Sequence, residues 1–219
     1  AKMSEVALVG GDTTRGPLAI TVTALGAVAP DMALRRDGAQ VGDRVCIAGM
    51  PGEAALGLVA VQAGRRDEPA FAHCIARLDR PEPQLALGQA LVGVASACID
   101  VSDGLVADLG HVAAASGVGL RLELDAIPHP PFELGAALGL KARAVTDLAL
   151  GGGDDYLLAF TVDAARLAEL RERVAALGLP LHEIGGVVPG AGVSVITREG
   201  GDYAPARAGF NHFGNDDGE

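Results

Sequence analysis

The chain has 219 residues, 49% of them hydrophobic and only 3% aromatic with no tryptophan, so its core must be built from Ala, Val, Leu and Ile. Against 28 Asp and Glu there are 17 Lys and Arg, and the resulting net charge of −11 argues against a nucleic-acid or anionic-membrane surface. Cys46, Cys74 and Cys98 are isolated, without a Cys-x-x-Cys pair. They read as buried free thiols in a reducing compartment, not as a disulfide framework or zinc site. No apolar run approaches the ~18 residues of a membrane span, and no signal peptide is visible. The expected compartment is the cytoplasm.

In chain order, Glu5 to Val9 reads as a strand entering Gly10-Gly11-Asp12-Thr13-Thr14-Arg15-Gly16-Pro17. Glycines let backbone N–H groups approach a phosphate, and Arg15 adds charge. An ordinary Gly-Asp turn fits the same residues equally well. Leu18 to Val28 is rich in β-branched residues and reads as a strand. Arg35-Arg36-Asp37-Gly38 reads as a solvated loop. Next come a strand, Arg44 to Ala48, a glycine turn, and a small-residue helix, Ala54 to Ala63. The absence of a Gly-Lys-Ser/Thr ending excludes a Walker loop. Pro69 to Leu78 and Gln84 to Ala95 are the next expected helices.

An apolar run from Leu91 to Ile99 leads into Asp100-Val101-Ser102-Asp103-Gly104, and an amphipathic stretch, Leu105 to Ala115, leads out. This pattern predicts strand, tight acidic turn, helix. In α/β proteins ligands bind in the crevice beyond the carboxyl ends of strands. Two carboxylates and a hydroxyl within four residues suit a hard cation bridging to phosphate. Taken alone, the turn favours a plainer reading, with Asp103 as a helix cap and Asp100 as a solvated strand end. Leu105, Leu109 and Val112 are expected on the buried face of the helix, and Gly104, Asp108 and His111 on the other, with Gly117 as the stop. Val118 to Leu124 is a strand, and Glu133 to Leu140 and Ala142 to Leu150 are short helices.

Gly151-Gly152-Gly153-Asp154-Asp155-Tyr156 then enters the strand Leu157 to Val162. Triple glycine beside two acids marks a strained turn that holds carboxylates near a strand, or else a flexible hairpin connection. Asp163 caps a helix with Leu167, Leu170, Val174 and Leu177 inside and Gly178 as its stop. Leu181 to Val188 and Val193 to Thr197 look like two neighbouring strands. The pattern predicts α+β (an α/β two-layer arrangement) with a mixed sheet.

The chain therefore holds three acidic turns beside strands. It has no Ser-His-Asp pattern, no His/Cys cluster and no GxGxxG. Carboxylates, glycine turns and a few arginines suit Mg²⁺-dependent phosphate chemistry, which needs positioning and charge neutralisation more than a covalent nucleophile. Here the chain resembles the thiamine-monophosphate kinases of the aminoimidazole ribonucleotide synthetase-like family. The matching stretches are Gly10 to Pro17, Ile99 to Leu105 with Asp108 to His111, Gly152 to Tyr156, and the tail Gly209-Phe210-Asn211-His212-Phe213, in that order and spacing.

The resemblance implies ATP-dependent phosphorylation of thiamine monophosphate to thiamine diphosphate, with Mg²⁺ and without a catalytic side chain. It assigns Gly11, Asp12, Arg36 and Ser102 to ATP; Asp12, Asp100 and Asp103 to Mg²⁺; and Asp154 and Phe210 to the substrate. Asp154 stands where the family usually has a glutamate. The resemblance further implies a homodimer for the full-length protein. It divides the chain into 1–38, the end of an N-terminal ATP-binding domain, and 39–219, the C-terminal α/β domain of that fold. The family's acidic N-terminal loop does not occur here. That leaves two alternatives, another ATP-using enzyme of the family or a catalytically incomplete nucleotide-binding fragment.

Overall fold

The computed structural model describes residues 6–210. It falls into two units, Ala1–Ala33 and Leu34–Glu219. Glu5 of the first expected strand and Asn211, His212 and Phe213 of the tail lie outside the described residues.

In the first unit, residues 6–33 form no helix or strand. The strand expected over Leu18 to Val28 is absent there, and Leu18, Ile20, Val22 and Leu25 are exposed. A strand is stabilised by the neighbour that takes up its N–H and C=O groups and covers its side chains. β-branched residues alone cannot supply either.

The second unit is built on six strands: β1 (Arg44–Ala48), β2 (Ala95–Val101), β3 (Gly119–Glu123), β4 (Leu157–Val162), β5 (Leu181–Val188) and β6 (Gly192–Ile196). Their order in the sheet is β2-β4-β1-β5-β3-β6. The β3–β6 pair is parallel and the other pairs are antiparallel. The sheet is therefore mixed and the fold α+β, as expected from two successive strands interrupting the alternation of strands and helices. The helices are α1 (Glu53–Gln62), α2 (Ala72–Asp79), α3 (Leu85–Leu91), α4 (Leu105–Ser116), α5 (Phe132–Ala137), α6 (Ala142–Gly151) and α7 (Leu167–Ala175).

β1 shows why the strand sequences are almost wholly apolar. Val45 and Ile47 enter a core that includes Leu105, Leu109 and Val112 of α4. Cys46 and Ala48 enter a second core with Leu87 and Leu91 of α3 and Leu170 and Val174 of α7. Because both faces are covered, the strand reads as a continuous hydrophobic run. All three cysteines are unpaired, Cys46 and Cys74 buried and Cys98 partly so.

Two boundaries differ from expectation. α3 stops at Leu91 and Gly93 turns the chain at φ 71°. β2 therefore starts only at Ala95 and runs on through Asp100 to Val101, whose partners on β4 are Leu158 and Leu157. In addition, β5 and β6 are not neighbours, because β3 lies between them. Their short connection passes over the first residue of β3. A Cβ at Gly119 would lie 3.4 Å from Ala191 N and from Gly190 C, so glycine there leaves room for the crossing.

Candidate functional site

Three stretches of the second unit interlace beyond the end of β2. The first is the turn Ser102-Asp103-Gly104. Asp108, on the first turn of α4, reaches back to it, and its Oδ2 accepts the N–H groups of Ser102, Asp103 and Gly104 at 3.0, 3.0 and 3.1 Å. The N-cap of α4 is Gly104, at φ 134°. The cap expected of Asp103 is thus replaced by a carboxylate from inside the helix. Asp108 is only 3% exposed, so its expected place on the solvated face is corrected. Spacing carried the signal, since Asp108 is three residues after Leu105 and four before Val112 and shares their face. Burial pushes the Asp108 carboxyl up from its ordinary pKa, and the three N–H donors oppose that shift.

The second stretch is Gly151 to Tyr156. The Asp154 N–H donates to the Ser102 carbonyl at 2.9 Å and the Tyr156 N–H to the Val101 carbonyl at 2.8 Å, which continues the β2–β4 pairing into the turn. Asp154 and Tyr156 are left-handed at φ 65° and 48°. That conformation is unusual for side chains larger than glycine. Between them Asp155 is 1% exposed. Its Oδ2 accepts the Gly52 N–H at 2.5 Å and its Oδ1 the Ala54 N–H at 3.0 Å, so it caps α1 from across the fold. Burial pushes its pKa from 3.8 to about 6, against the lowering effect of these two bonds.

The third stretch is Arg207 to Phe210. The Ala107 N–H donates to the Ala208 carbonyl at 3.0 Å and the Phe210 N–H to the Asp103 carbonyl at 2.8 Å. The close approach needs missing side chains. A Cβ on Gly151 would meet the Arg207 carbonyl, and one on Gly153 would lie 2.5 Å from the Ser102 carbonyl oxygen.

Together these stretches floor a cleft of about 460 Å³, lined among others by Ser102, Asp103, Asp154 and Phe210. Its apolar wall is Ala55, Leu58 and Val59 of α1 with Leu148 of α6. Four of the sequence-nominated residues thus meet in one place. Asp100, the last residue but one of β2, is exposed beside the turn. Among the described residues no three His, Cys, Asp or Glu side chains gather into a metal site. Asp100 and Asp103 still suit Mg²⁺ by donor chemistry, since that ion takes one or two carboxylates and completes its shell with water and substrate phosphates.

Arg36 lies elsewhere in this unit. Its carbonyl accepts from Ser116 Oγ at 3.2 Å, at the far end of α4. At 1.5 Å per residue the 12-residue α4 separates that end from the Asp103 turn by about 18 Å. Gly11 and Asp12 belong to the first unit, where Asp12 Oδ1 accepts the Thr13 N–H at 2.8 Å. Asp108 and Asp155, which hold the two turns in shape, were not nominated as site residues.

A mixed sheet that delivers an acidic turn, a glycine turn and a short strap to one cleft defines an α+β domain organised around its strand ends. The chain belongs to the family described as AIR synthase related protein, C-terminal domain, whose model matches residues 40–198. It is 38% identical over 216 residues to the thiamine-monophosphate kinase of Salmonella typhimurium, covering 95% of this chain and 64% of that protein. The chain thus spans just under two thirds of that relative's length. Among solved structures it is similar to the thiamine-monophosphate kinase from Stenotrophomonas maltophilia, with a TM-score of 0.71 and 40% identity over 77% of this chain and 54% of that one. A structure of AaThiL complexed with AMPPCP and TMP matches with a TM-score of 0.68 and 32% identity, over 82% and 54%. No helix among the described residues is long and apolar enough to cross a membrane.

Proposed function

We propose that the chain is part of a thiamine-monophosphate kinase, in which the γ-phosphoryl group of ATP passes in line to the terminal phosphate of thiamine monophosphate, giving thiamine diphosphate. The observation that carries this reading is the meeting of Ser102, Asp103, Asp154 and Phe210 in one cleft, in a chain whose relatives bear that name. The acceptor oxygen is already anionic near neutral pH, so no general base is needed. The work left to the protein is orientation and charge balance.

Ser102 binds the nucleotide. Asp154 binds the substrate, and the Phe210 ring takes its thiamine part. Asp154, one methylene shorter than glutamate, brings the substrate closer to the glycine turn. Asp100 and Asp103 hold Mg²⁺, which when bound offsets the repulsion between the two phosphate-bearing substrates. Gly11, Asp12 and Arg36 are assigned to ATP, and Asp12 also to Mg²⁺, on the resemblance alone. On the same ground we expect a homodimer at full length, and the three unpaired cysteines favour a reducing compartment, the cytoplasm.

The test is an assay of thiamine diphosphate formation from ATP and thiamine monophosphate, using the chain with any coding sequence that continues upstream. Activity dependent on Mg²⁺ is expected, and Asp103→Asn should lose it when Mg²⁺ is limiting. Full activity of that variant overturns the metal role. ADP release with some other acceptor, and none with thiamine monophosphate, overturns the substrate. The span of this chain, 64% of the Salmonella relative, favours a second reading for the polypeptide by itself, a domain that binds ligand without turnover.

A further inference from the structure

We propose that Asp155 is a positioning residue for the ligand of the cleft: it clamps the glycine turn to the first turn of α1 and so keeps Asp154 against the cleft. Its substrate arm rests on the thiamine monophosphate reading above.

Both elements that Asp155 joins line the cleft, α1 through Ala55, Leu58 and Val59 and the turn through Gly151 to Asp154. The clamp is long-range, from residue 155 to residues 52 and 54. It is also buried, with Asp155 1% exposed while its neighbours Asp154 and Tyr156 are exposed. Three glycines stand immediately before this stretch, yet the left-handed conformations fall on Asp154 and Tyr156. Such conformations persist only where the surroundings over-determine them. Here every residue of the trio is pinned. Asp154 N–H is held by Ser102, Tyr156 N–H by Val101, and the Asp155 carboxylate by Gly52 and Ala54. Arg77 of α2 donates to the Asp155 carbonyl at 3.2 Å, and its Nε lies 3.7 Å from Glu53 on α1. Of these ties, the Asp155 carboxylate alone connects the turn directly to α1. Without it the turn can relax to ordinary backbone angles and Asp154 leaves its place.

The experiment has two arms. Hydrogen exchange on the 219-residue chain should show the amides of Gly52, Ala54, Asp154 and Tyr156 opening as one unit in the wild type. In Asp155→Asn all four should exchange about tenfold faster or more, with β1 and β4 unchanged. Loss of protection confined to Gly52 and Ala54 makes Asp155 a local helix cap and overturns the proposal. So does independent exchange of the two pairs in the wild type, a result that needs no variant.

In the second arm, calorimetric titration with thiamine monophosphate should be weakened about tenfold by Asp155→Asn and by Asp154→Asn, and the double variant should lose little more, because both act through one contact. Full affinity in Asp155→Asn, or additive losses, overturns the positioning role. A wild-type chain that binds no thiamine monophosphate counts against the substrate reading alone, and the exchange arm then decides the clamp.

Discussion

The two acidic turns of the cleft are each held by a second carboxylate, but by opposite means. Asp108 uses one oxygen for three N–H groups four to six residues away in its own strand–turn–helix unit. Asp155 uses both oxygens, on N–H groups 101 and 103 residues away. The first turn places its unusual backbone angle on a glycine, Gly104, whereas the second places its two on Asp154 and Tyr156. The first turn therefore holds its own shape, and the second takes its shape from the rest of the fold. The expected consequence is that the turn with Asp100 and Asp103 is rigid before any ligand arrives. The turn with Asp154 is adjustable through α1.

The largest effect that tests this contrast is at Asp108. Asp108→Ala leaves three amides of the turn without their acceptor, one buried and two half-buried, where a buried donor left unmade costs about 1–3 kcal/mol and a half-buried one less. A loss of about 4 kcal/mol in urea-induced unfolding is expected. Asp108→Asn keeps one carbonyl oxygen in the place where all three amides converge and should cost about 1 kcal/mol. Asp155→Asn has no such refuge, because its amide group would face the N–H of Gly52 or Ala54. Equal tolerance of asparagine at both positions would break the comparison.

A pH titration separates the two carboxylates next. The folded-state pKa of Asp155, about 6, lies above the ordinary 3.8, so the folded protein binds this proton more tightly than the unfolded chain. Its linked contribution to stability is fully present below about pH 3.8 and is lost as pH rises through about 6. A shift of that size corresponds to about 3 kcal/mol between pH 3.5 and pH 7. Other carboxylates run the opposite way, among them Glu68 and Asp79, whose pKa values arginine hydrogen bonds hold down. The measurement is therefore the difference between wild type and Asp155→Asn across that range. A difference independent of pH would mean that the clamp holds its carboxylate without desolvating it.

How much of this was legible in the sequence follows the same division. Local devices were readable: the apolar run of β1, the acid at Asp163 that accepts from Ala165 N–H, and the left-handed glycines Gly117 and Gly178 that end helices. The acidic turns were visible as motifs, and four nominated residues do share the cleft. Asp108 was misplaced through the assumption that a charged side chain faces water, although its spacing from Leu105 and Val112 put it on the buried face. Asp155 could not have been found this way, because nothing near residue 155 announces that Gly52 and Ala54 will present their amides there. The insertion of β3 between β5 and β6 is likewise set by partners distant in the chain, and Leu18 to Val28 forms no strand because β propensity does not supply a pairing neighbour.

A smaller effect tests how tightly the strap is built in. Gly151→Ala would press a methyl group onto the Arg207 carbonyl. Backbone cannot yield as a flexible side chain does, and a destabilisation of about 2 kcal/mol is expected. Since Arg207, Gly209 and Phe210 line the cleft with Gly151, ligand affinity should fall with it. Loss of stability with unchanged thiamine monophosphate affinity would show the strap to be packing only.

The smallest effect has the opposite sign. Asp154 holds a left-handed angle at φ 65° with an exposed side chain, so Asp154→Gly removes little packing and relieves a backbone conformation that costs an L-residue about 1 kcal/mol. Glycine also gives the unfolded chain more freedom, which offsets part of the gain. Unfolding stability should therefore stay level or rise by up to about 1 kcal/mol, while thiamine monophosphate affinity falls. At Gly104 the first turn has no counterpart, since its strained position is already glycine. A variant that gains stability and loses its ligand would show that the second turn keeps Asp154 where binding, not folding, requires it. A clear loss of stability would mean instead that the Asp154 side chain helps to hold the turn, and that the two turns differ less than their hydrogen bonds imply.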